Sequence, residues 1–432
     1  MCLAAACLAA AISAAHAQAP AAPPLSSTAE RVFAEAKPRI VQVRTLLVSA
    51  GRQSSIGSGF LVSADGLAVT NYHVVSQYAL DPASYKLEYL APDGSKGTLT
   101  LLAIDVAHDL AVVRLERASL PYFEFDPRAV ANNLPKGERI YSLGNPLDLG
   151  FTIVEGTYNG LVDKSYDEHI HFSGAINPGM SGGPVANAEG RIVGVNVSKR
   201  LDGESVSFLV PAKHAAALVE QARTGKALDV KKAREEVGRQ LEAWQRGFYG
   251  ALEREGFKPT PFGPYRGSES AAPWITCWAR TNADQLPKPK VAIQSTQCNS
   301  GGALFVSDKI VSGRVDMGFS YHKSAGLNAF QFAEALRQQS TRWSGNAARR
   351  LTEQQCEDRF VAGVPGKRPL LRATWCTRAY RDFEGLYNVT IVAATQDRST
   401  EALVAQISML GISHANAVSL GRRFLETLEV AP

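Results

Sequence analysis

Asn177-Pro178-Gly179-Met180-Ser181-Gly182-Gly183-Pro184 is the stretch on which the reading of this chain turns. A serine hydroxyl is a poor nucleophile until a base takes its proton and fixed donors stabilise the oxyanion that forms. Glycines on both sides of Ser181 permit a tight, partly left-handed backbone and let a carbonyl approach main-chain N–H groups closely. The N–H groups of Gly179 and of Ser181 itself are the expected oxyanion donors. A Gly-x-Ser-Gly-Gly run can also be an ordinary turn, so its partners decide the matter.

A base stands in Thr70-Asn71-Tyr72-His73-Val74-Val75, directly after a strand-like run, and a carboxylate in His108-Asp109-Leu110-Ala111-Val112, at the start of another. The order is His73, Asp109, Ser181. These segments resemble the trypsin-like (chymotrypsin-fold) serine peptidases, and most closely their bacterial HtrA/Deg-type branch. The likeness covers roughly residues 30–220, including Gly144-Asn145-Pro146 and Phe208-Leu209-Val210-Pro211. It implies a double six-stranded β-barrel with His73 and Asp109 on the first barrel, Ser181 on the second and the cleft between them. It also implies the roles: Ser181 attacks, His73 takes and returns the proton, and Asp109 fixes the imidazole tautomer and stabilises the imidazolium. No cofactor is expected, and the partners are protein or peptide substrates.

Met180 departs from the family pattern, in which Asp or Asn often precedes the nucleophile. Methionine cannot pair with a freed N-terminus, so activation by N-terminal cleavage is not expected. By analogy, Ala175 lies at the base of the substrate pocket, with Phe208 and the 195–198 strand, Val197 included, along its sides. No carboxylate stands there, so the expected preference is for small or medium apolar P1 side chains. Lys199 and Arg200 lie near the rim.

Other candidates carry less. His108 is one residue from the acid and reads as a surface-loop histidine. His169 and His171 fall on one face of a strand, but two ligands without a third do not make a metal site, so none is assigned. Gly301-Gly302 lacks the lysine and the strand–loop–helix setting of a phosphate loop and reads as a turn.

The 432 residues suffice for two full domains, and 45% hydrophobic against 20% charged content excludes disordered and rod-like classes. Lys+Arg 46 against Asp+Glu 41 leaves +5, too mild to argue for nucleic acid. Residues 1–17 are apolar and end in Ala15-His16-Ala17, a small-x-small cleavage pattern, which reads as a signal peptide. Its charged opening is missing, so either the true start lies upstream or the start is truncated. Export to the periplasm or beyond is expected, with no membrane span once the signal is removed. In an oxidising space the four cysteines after position 270 should pair; they allow three connectivities, of which Cys277–Cys298 and Cys356–Cys376 are the simplest. Zinc is the rival reading, but no C-x-x-C spacing occurs and no histidine is near in sequence.

The expected organisation is a signal peptide over 1–17, a flexible leader over 18–29, a trypsin-like domain over 30–225, a helical linker over 226–256 and an α+β disulfide-containing domain over 257–432. Helices are expected over 212–224 and 230–255. In the second, Val237, Leu241, Trp244, Phe248 and Leu252 make one apolar stripe, expected to pack on a neighbouring domain, with an oligomer-forming coil as the lesser alternative. Asn328 and Ser413 read as caps of two later helices. Three functions are in view: an exported serine endopeptidase, a locked protease-like scaffold whose C-terminal domain binds an envelope partner, and an esterase using the same serine.

Overall fold

The strand Leu110-Ala111-Val112-Val113-Arg114-Leu115 shows how the first barrel is held. Its side chains alternate between two apolar clusters: Ala111, Val113 and Leu115 fill the barrel interior, while Leu110 and Val112 join the cluster between the barrels. The neighbouring strand Leu67–Thr70 does the same and is buried along its whole length. Period-two alternation with both faces covered is the pattern of a strand that cannot move without exposing one core or the other.

The computed structural model describes residues 26–146, 149–199, 206–224, 228–340 and 350–431. Twelve strands between Ile40 and Pro211 form two closed six-stranded barrels, all antiparallel. The first runs, in spatial order, Ile40–Leu47, Arg52–Leu61, Leu67–Thr70, Leu110–Leu115, Lys96–Asp105 and Tyr85–Leu90. The second runs Pro184–Ala186, Ile192–Lys199, Ser207–Pro211, Ile170–Phe172, Thr152–Leu161 and Arg139–Gly144. Closure removes every exposed sheet edge.

Two helices follow, Ala212–Thr224 and Ala233–Glu255. The apolar stripe of the second serves two cores at once. Val237 and Leu241 are buried in the first-barrel cluster, Phe248 and Leu252 in the C-terminal one, and Trp244 packs against both. Beyond it lies an α+β domain. Its main sheet has seven antiparallel strands in the order Thr276–Thr281, Val291–Asn299, Arg314–Ser324, Glu401–Ser413, Leu386–Thr395, Leu371–Ala379 and Gln355–Val361. Helix His414–Glu426 is capped by Ser413, whose Oγ accepts from Asn416 N at 3.3 Å. Asn328 Oδ1 likewise accepts from Gln331 N at 3.0 Å beside helix Ala329–Ser340. Cys277 is bonded to Cys298 and Cys356 to Cys376, each pair directly opposed on adjacent strands.

A short hairpin, Leu304–Ser307 with Ile310–Ser312, leaves this domain and enters the first barrel's core. Leu304, Val306 and Ile310 are buried in the same cluster as Val74, Val75 and Ala79. Each such side chain contributes about 1.5–3 kcal/mol by leaving water. Tyr72 donates from its hydroxyl to Val306 O at 3.1 Å, and Gln77 Nε2 to Asp308 at 2.7 Å.

The chain departs from expectation at its start. The leader expected over 18–29 overlaps a helix, Ser27–Ala36, capped by Ser26 Oγ and burying Ala29, Val32 and Ala36 in the inter-barrel cluster. A capping serine ahead of Thr28-Ala29-Glu30, with the acid in the first turn, outweighs the proline-rich composition just before it. The signal-peptide reading and Arg200 fall outside the described residues, as does the Lys199 side chain. Among the described residues, no helix is long and apolar enough to cross a membrane.

Candidate active site

Strand Leu67–Thr70 ends at the seam between the barrels, and helix Tyr72–Leu80 begins there, so His73 sits in a first turn fixed on both sides. Asp109 meets it from the start of the neighbouring strand. Its backbone has φ 54°, a left-handed conformation that aspartate tolerates better than bulkier residues. One carboxylate oxygen accepts from His73 N at 2.8 Å and the other lies 2.6 Å from His73 Nδ1. The Asp109 carbonyl accepts from Tyr72 N at 3.1 Å and Asn71 Nδ2 at 2.8 Å. This leaves Nε2 as the imidazole nitrogen able to take a proton from a nucleophile. Burial by itself would lower the His73 pKa, but the charge and hydrogen bond of Asp109, helped by the charge of Asp308, outweigh it and raise the pKa above the usual histidine value.

Ser181 lies in a turn pressed against that same seam. Its carbonyl accepts from Ser58 N at 2.7 Å. A Cβ on Gly182, at φ +80°, would come within 2.7 Å of Asn71 N, two residues before His73, so a side chain there is excluded. The turn's peptide planes are held from behind. Ser58 Oγ accepts from Asn145 N at 2.9 Å and donates to the Gly179 carbonyl at 2.7 Å. The Met180 carbonyl accepts from Gly183 N at 2.9 Å and Asn196 Nδ2 at 3.3 Å. With that carbonyl turned inward, the N–H of Ser181 across the same planar peptide points away from these donors. Among the described residues, the N–H groups of Gly179 and Ser181 have no acceptor. Met180 itself is fully buried in the second barrel's core, so it fills space there.

The Ser181 hydroxyl donates to Val197 O at 3.5 Å, and no hydrogen bond joins it to His73. The structure therefore brings base, acid and alcohol to one seam without completing the chain of hydrogen bonds between them.

Of the expected pocket residues, Val197 lines a cavity of about 320 Å³ that also touches His73 and Asp109. Phe208 packs edge-on against the His169 ring, and Ala175 is exposed in the segment leading into the Asn177–Gly183 turn. His108 is not a free loop histidine: its Nδ1 lies 2.6 Å from an Asp105 carboxylate oxygen and its ring stacks 3.7 Å from that of His214. Burial and the neighbouring charge of His108 push His214 down to about 4. His169 belongs to the cavity wall beside Asp167, whose carboxyl is raised above the usual range by burial even though Trp244 Nε1 donates to it at 3.0 Å. Among the described residues, three potential metal ligands converge only at Glu269, Cys277 and Cys298, where the two sulfurs are bonded to each other.

Sequence reasoning missed the residues that hold the turn from behind and the residues that stand over the imidazole. Ser58 lies in a Gly57-Ser58-Gly59 run whose small residues signal a close approach; a Cβ on Gly57 would come within 2.9 Å of Ser181 O. Asn196, fully buried in the middle of a valine-rich strand, was a second legible signal, since a buried amide needs partners. Phe305 and the cavity-lining Ser300 and Gly302 gave none, because nothing local tells that Phe305 meets the His73 ring or that the other two line the same cavity.

Residues 57–195 match the trypsin-like peptidase domain family. The "Putative serine protease HhoB" of Synechocystis is 35% identical over 181 residues, 40% of this chain and 41% of that protein. The "Probable periplasmic serine endoprotease DegP-like" of Chlamydia pneumoniae is 34% identical over 173 residues, 38% of this chain and 34% of that protein. This chain thus spans less than half the length of these relatives. The crystal structure of the serine endoprotease from Yersinia pestis superposes with a TM-score of 0.40 at 24% identity, covering 48% of this chain and 70% of that one.

Proposed function

We propose that the protein, whose residues 57–195 match the trypsin-like peptidase domain family and resemble HhoB and DegP-like serine proteases, is an exported serine endopeptidase acting on peptide bonds in proteins. Ser181 is the nucleophile, His73 the general base and then acid, and Asp109 the group that orients and charges the imidazole. The Ser181 hydroxyl leaves Val197 by rotation of one side-chain torsion and attacks the scissile carbonyl while His73 Nε2 takes its proton. The Gly179 and Ser181 N–H groups receive the oxyanion. The imidazolium returns the proton to the departing amine; water then enters, is deprotonated by His73, and releases the acid. Val197, Phe208 and Ala175 remain the residues assigned to the P1 pocket, and the absence of a carboxylate among them supports a preference for small or apolar P1 side chains.

The observation that carries this reading is the doubly bonded His73–Asp109 pair facing a serine turn whose two N–H groups lack acceptors. Labelling of the purified protein by a fluorophosphonate, with hydrolysis of casein measured alongside, tests it. Wild type should label and cleave, and Ser181→Ala should do neither; a fully active Ser181→Ala removes the assignment. The open Ser181–His73 link favours a second reading, a latent scaffold that binds an envelope partner. That reading gains if the folded wild type resists the probe.

A further inference from the structure

Resting on the triad reading above, we propose that the C-terminal domain builds part of the substrate cleft. Phe305 is its specificity-determining residue: it limits the size of the substrate side chain lying against His73, one residue ahead of the scissile one.

The Phe305 ring meets the imidazole edge-on, centroids 5.8 Å apart at 67°. That contact leaves no space for a side chain between the two rings, so a substrate side chain must pass beside them. The available space is the cavity of about 320 Å³ bounded by His73, Val197, Trp244 and Phe305. Val197 ties this cavity to the reaction. It falls in a break in the strand pairing, between Asn196↔Leu209 and Ser198↔Phe208, and its carbonyl is the one Ser181 Oγ touches. On this proposal a peptide that presents a carbonyl to Ser181 lies along Val197 and turns its preceding side chain into the cavity.

The hairpin carrying Phe305 is a wall and not a lid. Leu304, Val306 and Ile310 are 6%, 0% and 4% exposed, packed into the first barrel. Tyr72 fixes the Val306 carbonyl, Gln77 fixes Asp308, and Tyr380 donates to Val311 O at 2.9 Å from the domain side. Lifting the hairpin would bare the barrel core, so substrates must fit the space as it stands.

The test uses the full chain and peptides carrying Ala, Val, Leu or Phe at that one position, with kcat/KM measured for each and Ser181 labelling followed in parallel. A cavity of about 320 Å³ takes Ala, Val and Leu, so wild type should discriminate chiefly against Phe. Phe305→Ala should raise the Phe-to-Leu ratio by about tenfold, the scale on which a pocket distinguishes apolar side chains. Phe305→Trp should lower the ratio further, and it decides the matter if the alanine variant fails to fold. A ratio within twofold of wild type in the folded variants, with wild type still labelled, overturns the wall and leaves the protease standing. A wild type that neither labels nor cleaves overturns both.

Discussion

His73 is gripped by both carboxylate oxygens of Asp109, and Asp109 is itself gripped at its carbonyl by Tyr72 and Asn71, whereas the Ser181 hydroxyl has one contact, at 3.5 Å, to Val197. The proposed base is fixed; the backbone of the proposed nucleophile is fixed, but its side chain is held by that one long contact. Pre-organising the imidazole costs strain at one residue, Asp109 at φ 54°, and two doubly covered strands absorb it. The hydroxyl's one contact is to Val197 and not to the imidazole.

The sharpest break of this comparison is Asp109→Asn, which takes away the carboxylate that stabilises the imidazolium. Peptide hydrolysis should fall by about 10⁴-fold while the fold is kept, and steady-state kinetics with circular dichroism reads both. On the serine side, Asn196→Ala removes one of the two bonds to the Met180 carbonyl, leaving only Gly183 N, and so loosens the direction of the Ser181 N–H. We expect kcat to drop by about 10–100-fold with KM nearly kept, since a donor aimed at the oxyanion acts in the transition state. An equal loss in KM would make Asn196 merely structural. The smallest effect concerns Asp308, whose charge helps hold the His73 pKa up. Because the base must be neutral, a raised pKa moves the acid limb of kcat/KM to higher pH. Asp308→Asn should move that limb back toward lower pH, and a pH–rate profile that does not shift excludes the contribution.

The first half of the chain was readable because acyl transfer demands specific residue types in short, fixed contexts, and those contexts are strand ends and glycine turns. The helix 233–255 was readable for another reason: its stripe repeats at three- and four-residue steps regardless of what covers it. What covers it was not, because Val237 and Phe248 belong to different cores and periodicity does not distinguish them. The Asp109 grip on Asn71 and Tyr72, and the contact of Phe305 with an imidazole 232 positions earlier in the chain, are fixed only by long-range packing. The early helix was lost to composition, though Ser26 and Glu30 marked it.

Helix Ala233–Glu255 has a consequence for how the molecule comes apart. With its first turns locked into the barrels and its last turns into the seven-stranded sheet, it makes the melting of either half a loss to the other. A shortened version ending near Gly256 would keep Ser181 yet present bare phenylalanine and leucine to water, inviting aggregation. The barrels and the C-terminal domain are therefore coupled through one helix, so neither is a cassette that comes away without baring the other's core.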